Sequence, residues 1–460
     1  MRREYFGTDG FRGEANLFLT PERAFVIGKT LGYYFGESKQ KRARFVIGKD
    51  TRRSGYLLEA SLVAGLVSAG ADAYLLHVTT TPSVAYVVRS DGFDGGIMIS
   101  ASHNPYADNG IKLFNSEGEK MDEEVIELIE SHLRGEGVPL PSAFKEQIGR
   151  SVDYVAGRNR YIGALISLGI HSFKGWRVGL DCANGSAWHI AKVVFDGLGA
   201  TTFCLGVEPN GTNVNEECGS THLENLQNFV KREKLDVGFA FDGDADRCLC
   251  VDENGKGVDG DQMLYLFANY MQERGELFQN TVVTTVMSNY GLERALARKG
   301  IRVIRTAVGD KNVRACMQKG EYALGGEQSG HILFSKYGGT GDGIVTALKM
   351  MELLIEKKST LAQLTAPLTL YPQVQKNIAC AEGEKVLAIP QVVEGLQSVR
   401  KKLEGKGRLV IRPSGTEPVI RILVEGEDEE FCVACLKEVE KILQTVIFSE
   451  KAKEESWIKK

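Results

Sequence analysis

The sequence predicts an α/β protein: three similar α/β domains with mixed sheets, followed by a smaller α+β domain. Three observations predict it. Three segments repeat one plan of apolar strand, polar loop, amphipathic helix, closing glycine and second strand. They recur at spacings of roughly 100 residues, the span of a domain rather than of a short-period solenoid. The chain has 460 residues, too many for one ordinary core.

The first repeat, residues 44–76, reads RFVIGKDTRRSGYLLEASLVAGLVSAGADAYLL. The second, 176–205, reads WRVGLDCANGSAWHIAKVVFDGLGATTFCL, and the third, 280–306, NTVVTTVMSNYGLERALARKGIRVIRT. Punctuation sets the cuts. GEGVPLPSAF, from Gly135 to Phe144, is rich in Pro and Gly and reads as a linker. A strand and turn, CLCVDENG, closes at Gly255, and LTLYPQVQ near Pro372 precedes a region of different order. The expected domains are 1–152, 153–254, 255–368 and 369–460. The last contains RLVIRPSGTEPVIRILVEG, two strands about a polar loop, and then a helix. The charged end, EKAKEESWIKK, reads as a frayed tail.

Composition excludes several classes. Hydrophobic residues at 43% and charged residues at 25% are a globular balance. A net charge of −4 lacks the basic excess that nucleic-acid binding needs. No apolar run is long enough to span a bilayer, and MRREYFGTDGFRG carries no signal-peptide core, so no membrane association is expected. Nine cysteines are scattered; only Cys432 and Cys435 have metal or redox spacing, and on a helix they read as small buried residues. This usage suits a reducing, cytoplasmic compartment.

Four constellations could carry chemistry. In GGIMISASHNPYADNGIKLF an apolar strand delivers Ser100 and Ser102 to a loop with His103, Asn104 and Pro105. The residues alone leave two readings, a serine nucleophile or a polar Asn-Pro turn, and do not choose between the serines. In LDVGFAFDGDADRCLCVDENG, Asp242, Asp244 and Asp246 alternate after an apolar strand. Crowded carboxylates repel one another unless a hard divalent cation binds. A calcium EF-hand is disfavoured, because Arg247 takes the sixth place, where that loop needs glycine, and the flanks read as strands. RPSGTEP offers Arg412, Ser414, Gly415 and Thr416, with Arg421 following: a candidate anion nest with forked donors, or else a hairpin loop with solvated arginines. ALGGEQSGHI offers Glu327, Ser329 and His331 between glycines, which suits sugar hydroxyls or an ordinary surface loop. GTDGFRG with Arg12, and GKDTRRSG with Lys49, Arg52 and Arg53, are weaker signals.

Together these motifs, in this order over nearly the whole chain, resemble the alpha-D-phosphohexomutase superfamily. YFGTDGFRG, GKDTRRSG, SASHNPYADNGIKLF, AVGDKNV and GGEQSGH are most similar to its bacterial phosphoglucosamine mutase branch. The resemblance implies four domains around a central cleft. It implies that Ser102 is phosphorylated and that Ser102, Asp242, Asp244 and Asp246 bind one Mg²⁺. Arg12, His103, Lys112 and Arg247 would line the reacting centre. Glu327 and Ser329 would grip the sugar, while Arg412, Ser414, Gly415, Thr416 and Arg421 hold the non-reacting phosphate. The implied reaction interconverts glucosamine 6-phosphate and glucosamine 1-phosphate through a 1,6-bisphosphate, feeding UDP-N-acetylglucosamine synthesis. The implied partners are a small sugar phosphate and a separate source of the first phosphate on Ser102; a homodimer is left open. The competing readings are a phosphomannomutase or phosphoglucomutase, and a catalytically silent sugar-phosphate-binding protein. One departure stands in the metal loop: Ala245 occupies a place where that branch usually has glycine.

Overall fold

The computed structural model describes residues 4–7, 9–39, 41–414 and 418–458. The chain divides into two compact units, one of residues 1–285 with 304–366, the other of 286–303 with 367–460.

In the first unit, seven strands form one sheet: β1 (Phe6–Gly7), β2 (Gly10–Glu14), β3 (Arg44–Lys49), β4 (Asp72–Val78), β5 (Gly95–Ile99), β6 (Asp108–Asn115) and β7 (Ser151–Asp153). Their order is β1-β2-β6-β5-β3-β4-β7. β3 runs parallel to β4 and β5, whereas β6 returns antiparallel to β5. The second sheet holds β8 (Arg177–Asp181), β9 (Thr201–Leu205), β10 (Val237–Phe241), β11 (Cys248–Val251) and β12 (Gly257–Val258), in the order β12-β11-β10-β8-β9. A third sheet orders β14-β13-β15-β16 from β13 (Thr281–Thr285), β14 (Arg302–Thr306), β15 (Leu324–Gly326) and β16 (Ile332–Phe334); the last three residues of β14 belong to this unit.

The same four-strand core recurs in all three sheets: β6-β5-β3-β4, β11-β10-β8-β9 and β16-β15-β13-β14. In each, a buried strand runs into an antiparallel neighbour, and the connecting loop carries a sequence-predicted constellation. Buried on both faces, these strands read as near-continuous apolar runs, with β5 and β10 wholly buried. The protein is therefore three α/β/α domains with mixed sheets plus a C-terminal antiparallel-sheet domain.

The helices start on sequence signals. Thr80 caps Thr81–Asp91 by accepting from Ser83 N, Pro82 lies in its first turn, and Gly92 ends it at φ 64°. Asp342 caps Gly343–Lys357 by accepting from the amides of Ile344 and Val345.

The second unit carries the antiparallel sheet β17-β19-β18, of β17 (Gln373–Ala379), β18 (Gly407–Pro413) and β19 (Val419–Gly426). The helices Pro390–Leu403 and Glu429–Ile458 supply Val392, Leu396, Val399, Cys432, Cys435 and Val439 to its core. In place of the expected frayed tail, the last helix continues to Ile458, as the local Ala, Glu and Lys content favours, and Lys459 and Lys460 lie outside the described residues. All nine cysteines are unpaired. Among the described residues no helix is long and apolar enough to cross a membrane.

Candidate active site

The turn after β5 places Ser102 at the C-terminal end of a buried strand. Ser102 is a non-glycine residue in the left-handed region, φ 53°, and is 1% exposed. Its hydroxyl lies 2.5 Å from Asp242 Oδ2 and 3.4 Å from His103 Nδ1. Ser100 plays a different part. Its hydroxyl donates to Asp50 Oδ2 at 2.7 Å and accepts the Ser102 amide at 2.9 Å.

Asp242, Asp244 and Asp246 occupy the β10–β11 connection, flanked by strands as the sequence predicted. All three are buried, and a carboxylate oxygen of each lies within 4.8 Å of the others. Ala245, between them, is buried in the left-handed region at φ 57°, the conformation glycine adopts most readily. Glu253, which counted from Asp242 would be the twelfth residue of an EF-hand loop, instead accepts the Ala362 amide at 3.3 Å.

The surrounding charge is arranged by sign. Lys112 Nζ, from β6, bridges Asp244 Oδ2 at 2.7 Å and Asp246 Oδ2 at 2.9 Å. Burial disfavours its charge, yet Asp244, Asp246 and Asp9 outweigh this and hold Lys112 well above the usual lysine range. Burial, then the charges of Asp246 and Asp244, push the Asp242 carboxyl up to about 8. Asp246 is held well below the ordinary range, because Lys112 and His331 overcome its burial. Burial, with Arg247 and Arg12 nearby, lowers His103 to about 4, which leaves a neutral imidazole at neutral pH.

These donors fit a hard divalent cation. Asp244 Oδ1 and Asp246 Oδ1 are buried without a hydrogen-bond partner, the state expected of oxygens that serve a metal.

The remaining centre residues converge on the same place. Arg12 pairs with Asp9 and donates to Ala101 O at 3.3 Å, beside the serine turn. Arg247 follows the triad, and its amide donates to Asp242 Oδ1 at 3.2 Å. The β15–β16 loop brings Glu327, whose Oε1 accepts the Gly309 amide at 3.1 Å; Ser329 beside it is exposed. Gly330, at φ 90°, lets this loop lie on β11: an added Cβ would sit 2.3 Å from Cys248 O. His331 Nδ1 lies 3.7 Å from Asp246 Oδ1, tying the sugar-loop candidate to the carboxylate triad.

In the second unit, the predicted phosphate loop joins β18 to β19. Gly415 and Thr416 lie outside the described residues. Arg412 and Arg421 are cross-strand partners, each half-buried. Burial and the neighbouring Arg421 guanidinium lower Arg412. Like charges directly opposite on a sheet repel one another.

Four family models match the chain in order. They are the phosphoglucomutase/phosphomannomutase alpha/beta/alpha domain I over residues 3–138, domain II over 159–256, domain III over 259–371 and the C-terminal domain over 376–442. The chain belongs to the phosphoglucomutase/phosphomannomutase family of alpha-D-phosphohexomutases. A phosphoglucosamine mutase of Lachnospira eligens is 58% identical over 445 residues, 96% of this chain and 98% of that protein. One from Geobacillus kaustophilus is 45% identical over 442 residues, 96% and 98% of the two chains. Solved structures share the fold. A phosphoglucomutase/phosphomannomutase family protein from Burkholderia thailandensis superposes with a TM-score of 0.80 at 23% identity, covering 96% of this chain and 97% of that one. The Aspergillus fumigatus N-acetylphosphoglucosamine mutase, solved with GlcNAc-6P and magnesium, gives 0.66 at 16% identity over 97% and 96% of the chains.

The cluster around the carboxylate triad also contains residues that no motif in the sequence singles out. The Thr81 hydroxyl donates to Asp244 Oδ2, and its amide donates to Asp244 O at 3.0 Å, which sets that carboxylate at a helix N-terminus. Asp9 joins Lys112 and Lys120, and Lys120 reaches Asp310 at 2.8 Å. Asn215 binds the serine turn. Thr81, in the first turn of its helix, and Asn215, in the loop after β9, carry no local chemical signature. Asp9 and Asp310 lie inside GTDGFRG and AVGDKNV, motifs that carry the resemblance without assigning either aspartate a role.

Proposed function

We propose that this phosphohexomutase interconverts glucosamine 6-phosphate and glucosamine 1-phosphate, with Ser102 as the phosphate carrier. The observation that carries the reading is the Ser102 hydroxyl, 2.5 Å from a carboxylate of a buried aspartate triad, in a chain 58% identical to a phosphoglucosamine mutase along almost its full length.

A direct shift of phosphate across the hexose ring is barred to an in-line displacement. A phosphoserine removes the difficulty. The free sugar hydroxyl attacks the Ser102 phosphorus, the P–Oγ bond breaks, the hydroxyl proton ends on Ser102 Oγ, and glucosamine 1,6-bisphosphate forms. The bisphosphate then presents its other phosphate, and Ser102 Oγ takes it back. Asp242, Asp244, Asp246 and a phosphate oxygen on Ser102 are the residues to hold one Mg²⁺, which when bound would neutralise charge on the transferring group.

The chain's own residues supply the rest. Lys112, Arg12 and Arg247 line the reacting centre as fixed cations, preorganised for charge spread over phosphoryl oxygens. His103, neutral and beside Ser102 Oγ, is in reach to accept a proton there. Glu327 and Ser329 grip sugar hydroxyls. Arg412, Ser414, Gly415, Thr416 and Arg421 hold whichever phosphate is not reacting. The product is a precursor for UDP-N-acetylglucosamine, and Ser102 receives its first phosphate from a separate donor.

The test is a bisphosphate-dependent isomerisation assay on glucosamine, glucose and mannose 6-phosphates in parallel. A kcat/KM highest for the amino sugar is expected. A preference for glucose or mannose phosphate reassigns the substrate, and no turnover of any of them overturns the enzymatic reading.

A further inference from the structure

The carbonyl of Ser102 is held by two side chains at once. Arg52 Nη2 donates to it at 2.8 Å and Asn215 Nδ2 at 2.9 Å. Each also reaches the carbonyl of Asn104, at 2.9 Å and 3.1 Å respectively. Arg52 is fully buried, is tied to Asp50 at 2.9 Å, and comes from the same layer as the serine turn. Asn215 comes from elsewhere: the loop that follows β9 in the second sheet. It is buried, left-handed at φ 59°, and anchored by its own amide to Ala183 O at 2.9 Å. The metal loop makes room for this clamp. A Cβ on Gly243 would stand 2.6 Å from Ser102 O and 3.2 Å from Asn215 Nδ2.

The physical need for such a clamp is specific. A non-glycine residue in the left-handed region is held there only when its surroundings over-determine it. Ser102 must keep that conformation with its Oγ on the triad while a phosphoryl group arrives and leaves. A carboxamide suits the position because it offers two N–H donors on one nitrogen, matching two carbonyl acceptors; a carboxylate would oppose them.

We propose that Asn215 is a positioning residue for phosphoryl transfer. Its carboxamide fixes the Ser102–Asn104 turn to the layer that carries the aspartate triad, and so sets the direction of Ser102 Oγ. The proposal rests on the reading of Ser102 as the phosphate carrier. Asn215 touches neither sugar nor phosphate in this role, so it governs the chemical step rather than substrate affinity.

The test compares wild type with Asn215→Ala and Asn215→Asp, the latter keeping the side-chain shape in case the alanine variant fails to fold. Steady-state kinetics with glucosamine 6-phosphate are measured on folded protein. Amide hydrogen exchange across residues 100–108 is followed in protein without substrate. Misalignment of a reacting group by a fraction of an ångström predicts kcat lower by roughly 10- to 100-fold with KM within about 3-fold. The exchange of the 100–108 segment should accelerate in both variants while that of β5 and β10 stays unchanged. Unaltered kcat and exchange in the variants overturn the proposal while leaving the mutase reading intact, as does a rise in KM alone. A wild type without mutase activity overturns both.

Discussion

The Ser102 hydroxyl donates to Asp242 Oδ2 across 2.5 Å, and Asp242 is a carboxyl that burial and its neighbours have pushed up to about 8. Ser100, two residues away on the same turn, points its hydroxyl to Asp50 instead. Ser102→Ala should therefore lose covalent phosphate and reduce turnover by about 10³-fold or more, as removal of a covalent carrier does. Ser100→Ala should still be phosphorylated on Ser102. Intact-protein mass spectrometry with a mutase assay checks both; a phosphorylated, active Ser102→Ala protein reverses the assignment.

Lys112 is the protein's own counter-charge to Asp244 and Asp246. Removing one partner of a buried ion pair costs about 3–5 kcal/mol, because the other charges stay behind uncompensated. Lys112→Met should lower the melting temperature strongly in chelator, and Mg²⁺ should restore more stability to it than to wild type. Chelation should abolish turnover in wild type, and added Mg²⁺ should return it. Thermal melts with and without Mg²⁺, paired with activity, provide the measurement. Equal Mg²⁺ responses in the two proteins would show that the cation does not share these carboxylates.

Arg412 and Arg421 face one another across β18 and β19. Arg421→Ala should weaken the 6-phosphate and the 1-phosphate alike, by about 1.5–3 kcal/mol for a lost charged hydrogen-bond partner. Bisphosphate should also escape more often during turnover. Kinetics in both directions, with assay of released bisphosphate, are the check; a loss confined to one direction excludes a shared phosphate clamp.

Asp342 gives a pH-dependent stability. Burial raises its carboxyl from 3.8 to about 6, against the hydrogen bonds it accepts from Val345 N, Tyr161 and Ile344 N. A raised carboxylate pKa stabilises the folded state below the unfolded value, and that contribution is lost as pH rises through the folded value. Wild type should thus lose on the order of 2–3 kcal/mol from this group between about pH 4 and 7. Asp342→Asn keeps an acceptor for the helix cap and removes the ionisation. Its denaturant-derived stability should vary less over that window, and parallel slopes for the two proteins would refute the assignment.

Local order in this chain was legible because local order writes local patterns. Apolar runs bounded by glycine marked β5 and β10, alternating aspartates marked the triad, and the β18–β19 pair stood out around RPSGTEP. The helical continuation through Ile458 departs from the expected tail, because Ala, Glu and Lys form helix as readily as they form a solvated end.

By itself, then, the sequence determined the three repeated α/β units, the two strands and helix of the C-terminal region, and the residue types that each loop offers. Tertiary structure alone decided which of those residues meet. Ser102 and Asp242 are 140 positions apart, Thr81 and Asp244 163, and Ser102 and Asn215 113. Such meetings depend on how separate layers pack, and packing is set by side-chain shape over whole faces rather than by any spacing along the chain. For the same reason the choice between Ser100 and Ser102 could not be read from SASHNP. Two hydroxyls of equal chemistry differ only in the direction given them by a left-handed turn and by Arg52 and Asn215, whose N–H groups donate to the Ser102 carbonyl.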